Sequence, residues 1–112
     1  MATIEQVKAG IASYADREII SKLPYGTLRR VIAGTALALA IQKSVQPFLE
    51  GDISKALCIY DGESVDVEAL AEALKAQIPD DGVVVPVPAI GMEIKFRRED
   101  IDSILRDIEV AQ

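Results

Sequence analysis

The chain reads as an α+β fold, and three features of its 112 residues lead there. Apolar residues recur at helical spacing over residues 4–19, 67–78 and 101–108. Residues 83–96 hold two short β-prone runs, the second of which alternates between apolar and charged side chains. Between these regions lies a segment, 28–48, with too few polar positions for an ordinary surface helix. The resulting order is two N-terminal helices, a short connector, a helix, a β-hairpin and a C-terminal helix. It fits a single domain over residues 1–112, with a helical hairpin at 3–50 and an α-β-β-α unit at 64–110.

Thr3 and Gln6 have capping-box spacing, so the first helix is expected to start there. Ile4, Val7, Ile11, Tyr14 or Ala15, and Ile19 form its buried stripe and leave Lys8, Asp16, Arg17 and Glu18 to solvent. Leu23-Pro24-Tyr25-Gly26 predicts a tight corner, because proline disfavours a helical residue before it and glycine supplies a turn. Thr27 is placed to cap a second helix running from Leu28 to about Phe48. After Arg29 and Arg30 its polar positions are Thr35, Gln42, Lys43, Ser44 and Gln46, and apolar residues occur all round it. That pattern predicts burial all round. Pro47 is expected to kink or end its last turn, and Glu50-Gly51-Asp52 to close the segment.

In the connector, Asp61-Gly62 stands between the short runs Leu57–Tyr60 and Glu63–Val65. This predicts either a miniature hairpin with a type I′ turn or a helical turn running into a loop. Asp66 should cap the third helix, whose Val67, Leu70, Ala71, Leu74 and Ile78 share one face and whose Glu68, Glu72 and Lys75 share the other. Pro79-Asp80-Asp81-Gly82 stops it. Residues 83–88 follow as a strand confined to a sheet edge by Pro86 and Pro88, with a turn at Ala89-Ile90-Gly91. In the partner strand Met92, Ile94 and Phe96 should face the core and Glu93 and Lys95 water. The last helix has Glu99 and Asp100 in its first turn and Ile101, Ile104, Leu105 and Ile108 as its apolar stripe. Arg97 occupies the capping position where Ser, Thr or Asp is usual.

Composition narrows the function. There is no histidine, one cysteine and a formal charge of -6. The histidine-based triads and the usual Cys/His zinc sites therefore lack their residues, and no cofactor is expected. Cys58, in the run Ala56–Tyr60, reads as a buried hydrophobe, and the low cysteine usage suits a reducing, cytoplasmic setting. The first residues, MATIEQVKAG, do not have the pattern of a secretion signal. The longest uncharged stretch, Val31 to Gln42, is twelve residues, well short of the roughly 20 that span a bilayer. Asp61, Glu63, Asp66 and Glu68 miss the spacing of a calcium loop, and neither GxGxxG nor a P-loop pattern occurs. Arg97-Arg98 is expected to be a solvated strand end paired with Glu99. No basic stripe interleaved with aromatics is present, so nucleic acid is not an expected partner. Residues 1–50 carry six basic and four acidic side chains, net +2; residues 51–112 carry six and fourteen, net -8. The halves can attract each other within a chain or between chains.

The second helix is the candidate functional element. Its small residues form a smooth strip on which another backbone can approach, and about 21 helical residues span some 31 Å, nearly a domain of this size. Ala33, Gly34, Leu37, Ala38, Ile41 and Val45 are the expected contacts of a homo-oligomer.

The stretches TIEQVKAGIASY, AGTALALAIQ, SVDVEALAEAL and VVVPVPAIGMEIKFRREDID resemble a group of small prophage-encoded proteins found among virion and tail genes. The resemblance implies a part in phage structure or assembly, other phage structural proteins as partners, incorporation in a virion as an alternative to the cytoplasm, and no catalytic residues to carry over. The expectation is a non-enzymatic, self-associating structural or assembly protein. The alternatives are a membrane-associated phage protein using the 28–48 helix, with membrane contact the less expected, and a small ligand-binding domain on the acidic connector.

Overall fold

The capping box forms as its spacing predicts. Gln6 N–H donates to Thr3 Oγ1 at 3.2 Å, and Thr3 N–H donates to Gln6 Oε1 at 2.8 Å. Helix α1 (Ile4–Lys22) follows, burying Val7, Gly10, Ile11, Tyr14, Ala15 and Ile19 along one face. The computed structural model describes residues 2–22, 26–50, 57–88 and 91–111. The expected corner at Leu23–Tyr25, the close of the second helix at Gly51-Asp52 and the hairpin-turn residues Ala89-Ile90 lie outside the described residues.

Helix α2 (Thr27–Leu49) begins one residue earlier than expected, and Thr27 is its first residue rather than its cap. The cap position belongs to Gly26, whose φ of 82° is a left-handed conformation suited to glycine, and no side chain caps the helix there. Pro47 does not end α2: it lies inside the last turn and the helix continues to Leu49. The ladder bond it removes is the one to the carbonyl of Lys43, an exposed residue whose carbonyl water can satisfy.

The connector is less than a hairpin. Val65 sits in isolated antiparallel bridges with both Tyr60 and Ala2, which ties the connector to the segment leading into α1. The two-residue type I′ turn fails because only Gly62 of the Asp-Gly pair has positive φ, at 98°. Asp61 instead accepts the amides of Glu63 and Ser64, both at 2.8 Å, in an Asx turn. Cys58 is exposed, with φ 56°, so its expected place in the core is corrected: the chain bends there before Ile59 enters the core.

Asp66 caps helix α3 (Val67–Gln77) as expected, accepting the Ala69 amide at 3.1 Å. Strands β1 (Val83–Val87) and β2 (Met92–Phe96) pair antiparallel, with Val83 opposite Phe96 and Val87 opposite Met92. Among the described residues the sheet has two strands, so both are edges, where a residue without an amide donor is tolerated. Val87, Ile94 and Phe96 are buried, while Glu93 and Lys95 are exposed. Helix α4 (Arg98–Ala111) starts without a capping side chain at Arg97, yet the Arg97 amide is satisfied: Asp100 Oδ2 reaches back to accept it at 2.7 Å. This is the return half of a capping box. Arg98 pairs with Asp80 and donates to the Ile78 carbonyl at 2.8 Å, so its partner is the turn after α3 and not the expected Glu99.

The core lies where α1 packs against α2 on one side and α4 on the other, with α3 laid on α4 and the hairpin closing over Tyr14 and α2. The α1–α4 approach is close at Gly10, where an added Cβ would lie 2.6 Å from the Ile108 Cα. Across the same interface Arg17 reaches buried Asp107 at 2.8 Å, an ion pair joining the two halves of the chain, while the second Asp107 oxygen has no partner among the described residues. Tyr14 stacks edge-on to Phe96, with ring centroids 6.1 Å apart and planes at 89°. Burial, the nearby charges of Asp100 and Glu18, and a hydrogen bond to Asp100 hold the Tyr14 hydroxyl well above its ordinary titration range. The phenol is neutral in the fold, and a phenolate is disfavoured there more than in the unfolded chain. Stability is therefore complete below about pH 10 and declines as pH rises beyond the unfolded value. Urea melts at pH 8 and near pH 11 are expected to show a larger loss for the native protein than for Tyr14→Phe; equal losses would remove Tyr14 as the cause.

Candidate functional site

Helix α2 meets the rest of the chain along a line, not around its circumference. Ala33, Leu37, Ile41 and Val45, spaced by four, turn into the core together with Phe48 and Leu49. Within the single chain the helix is thus buried along one side only. Leu28 is 72% exposed, Val31 58%, Leu39 55% and Ile32 37%, and these residues line the opposite face with Thr35 between them. An isolated exposed leucine needs no explanation; four large aliphatic residues on one helical face form a patch.

The six residues expected at an oligomer contact divide accordingly. Ala33, Leu37, Ile41 and Val45 are enclosed by the chain's own core and are not presented to a second copy. Gly34 and Ala38 are half-buried in the floor of a groove between α1 and α2. Small residues do allow close approach, but the helix that takes advantage of them is α1: a Cβ on Gly34 would meet the Asp16 Cα at 4.0 Å, ordinary contact. The groove has a volume of about 370 Å³ and is walled by Ala12 and Asp16 on α1 and by Val31, Thr35 and Leu39 on α2. Sequence reasoning missed Leu28, Val31, Ile32 and Leu39 as the accessible side; the signal was the shared four-residue spacing of Ala33, Leu37, Ile41 and Val45, which marks the inward line.

The electrostatics of α2 are one-sided. Arg29, Arg30 and Lys43 are its charged residues, it contains no acid, and none of the three has an ion-pair partner among the described residues. A second concavity, about 180 Å³, lies between α2, the end of α3 and the hairpin, and its walls are almost entirely aliphatic or aromatic, among them Ile41, Leu74, Val85 and Phe96. It lacks a set of converging polar groups that could do chemistry. On the acidic connector the carboxylates serve the backbone: Asp61 holds its turn and Asp66 caps α3. The two amides donated to Asp61 hold its carboxyl below the usual aspartate range. Among the described residues no three acidic or sulfur side chains converge as a metal site would require, and no helix is long and apolar enough to cross a membrane. No family model, no curated protein and no solved structure is significantly similar to the chain.

Proposed function

We propose that the chain is a non-enzymatic structural or assembly protein that associates with copies of itself through the outer face of α2, in the prophage virion or tail setting implied by its sequence resemblance. The observation that carries this reading is the exposed strip Leu28, Val31, Ile32 and Leu39 on a helix whose opposite face is fully engaged in the core. Covering a large aliphatic side chain contributes roughly 1.5–3 kcal/mol, so several contributed by each of two copies can offset the entropy of association. The charge imbalance between the two halves of the chain adds an electrostatic component.

Leu39→Glu tests the reading, because Leu39 touches solvent and the substitution leaves the core intact. Light scattering after size exclusion, over a range of concentrations, is expected to give a multiple of the chain mass for the native protein. The variant should be a monomer with an unchanged helical spectrum. A native protein that stays monomeric throughout would overturn the proposal.

A further inference from the structure

Building on the self-contact just proposed, we infer that the surface meeting the α2 face is the acidic end of another copy, so that the chains add head to tail. The charges are sorted for this. Residues 27–49 hold three basic side chains and no acid, whereas residues 61–72 hold five acids, Asp61, Glu63, Asp66, Glu68 and Glu72, and no base. Arg17, Lys22, Lys75 and Arg98 are paired with carboxylates of the same chain, whereas Arg29, Arg30 and Lys43, like Lys8, Lys95, Arg97 and Arg106, have no ion-pair partner among the described residues.

The acidic stretch and the Arg29-Arg30 end of α2 also stand at opposite ends of the molecule. Helix α2 runs antiparallel to α1, since Val45 and Leu49 lie with Ile4 and Val7 around one hollow, so Leu28–Ile32 belong to the far end of α1. The acidic stretch is fastened to the near end, where Val65 bridges to Ala2 just before α1 begins. The 19 residues of α1 separate the two ends by about 28 Å. Leu57, half exposed and adjoining the acidic turn, supplies an apolar contact for the strip on α2.

A two-fold contact between α2 faces is disfavoured by the same charges. An antiparallel pair of α2 faces brings two helices, each with three basic residues and no acid, to side-chain contact distance. Like charges at such spacing repel, and the acidic end would remain uncompensated. A contact between two different surfaces is heterologous, and repetition builds a ring or a filament.

Two charge-reversed forms of the full chain decide the matter, with mass read by light scattering and sedimentation at low and high salt. One carries Arg29→Glu and Arg30→Glu; the other carries Glu63→Lys, Glu68→Lys and Glu72→Lys, three positions that cap no helix. A milder form with the same three glutamates changed to Gln guards against a folding defect. The native protein is expected to grow past a dimer with concentration and to shrink in high salt. Each reversed form alone should be a folded monomer, the Gln form should need at least about tenfold more protein to associate, a drop of some 1.4 kcal/mol, and an equal mixture of the two reversed forms should regain the native mass. If the native protein associates but stops at a dimer, or the Lys and Gln forms associate as it does, the head-to-tail contact is wrong while self-association stands. A native protein that is monomeric in low salt overturns both.

Discussion

Replacing Gly10 by alanine is expected to destabilise the protein by about 2–3 kcal/mol, despite alanine being the better helix former by about 1 kcal/mol. The added Cβ would overlap Ile108 Cγ1 and lie 2.6 Å from its Cα and 2.7 Å from its amide nitrogen. The first atom belongs to a side chain that can rotate; the other two are backbone and cannot. Helices α1 and α4 must then move apart along an interface that also contains the Arg17–Asp107 pair. For a domain near 100 residues this corresponds to a melting temperature lower by about 10–20 °C, measurable by circular dichroism. Gly34 provides the internal comparison, because its nearest obstacle is 4.0 Å away. Gly10→Ala melting as high as Gly34→Ala would show that the α1–α4 approach is looser than described.

Local signals in the sequence translated directly into structure. The Thr3–Gln6 box, the Asp66 cap, the proline-marked edge strand and the alternation of residues 93–96 each depend on neighbours within a few positions, and each is found. What could not be read locally concerns partners far apart in the chain. Asp107 flanks an apolar stripe and looks like another surface acid, until Arg17, 90 residues earlier, is set across from it. Arg98 has Glu99 as its neighbour, yet the turn after α3 places Asp80 within its reach. In α2 the difficulty is different. A helix with apolar residues on every side has no polar face to announce its orientation, so tertiary packing alone decides which leucine is inside. The small residues Ala33, Gly34 and Ala38 pointed correctly to a close helix approach, but the approaching helix is α1 of the same chain.

Leu37 and Leu39 stand two residues apart in one helix, and their truncation to alanine is expected to differ by several kcal/mol. Leu37 is fully enclosed between α2 and the core, so Leu37→Ala removes buried methyl groups and leaves a cavity, at about 3–5 kcal/mol. Leu39 is 55% exposed, and Leu39→Ala should change the stability of the single chain by less than about 1 kcal/mol. Urea melts at protein concentrations low enough to suppress association separate the two terms; equal midpoints would mean that the inward and outward faces of α2 are misassigned. The contrast also governs how self-association can be tested. A glutamate at Leu37 would dismantle the core, and a loss of oligomer in that variant would say only that the protein had unfolded. At Leu39 the same charge meets solvent in the single chain and apolar surface in an assembly. Its cost therefore falls almost entirely on the contact between copies, so Leu39→Glu can report on assembly where Leu37→Glu reports on folding.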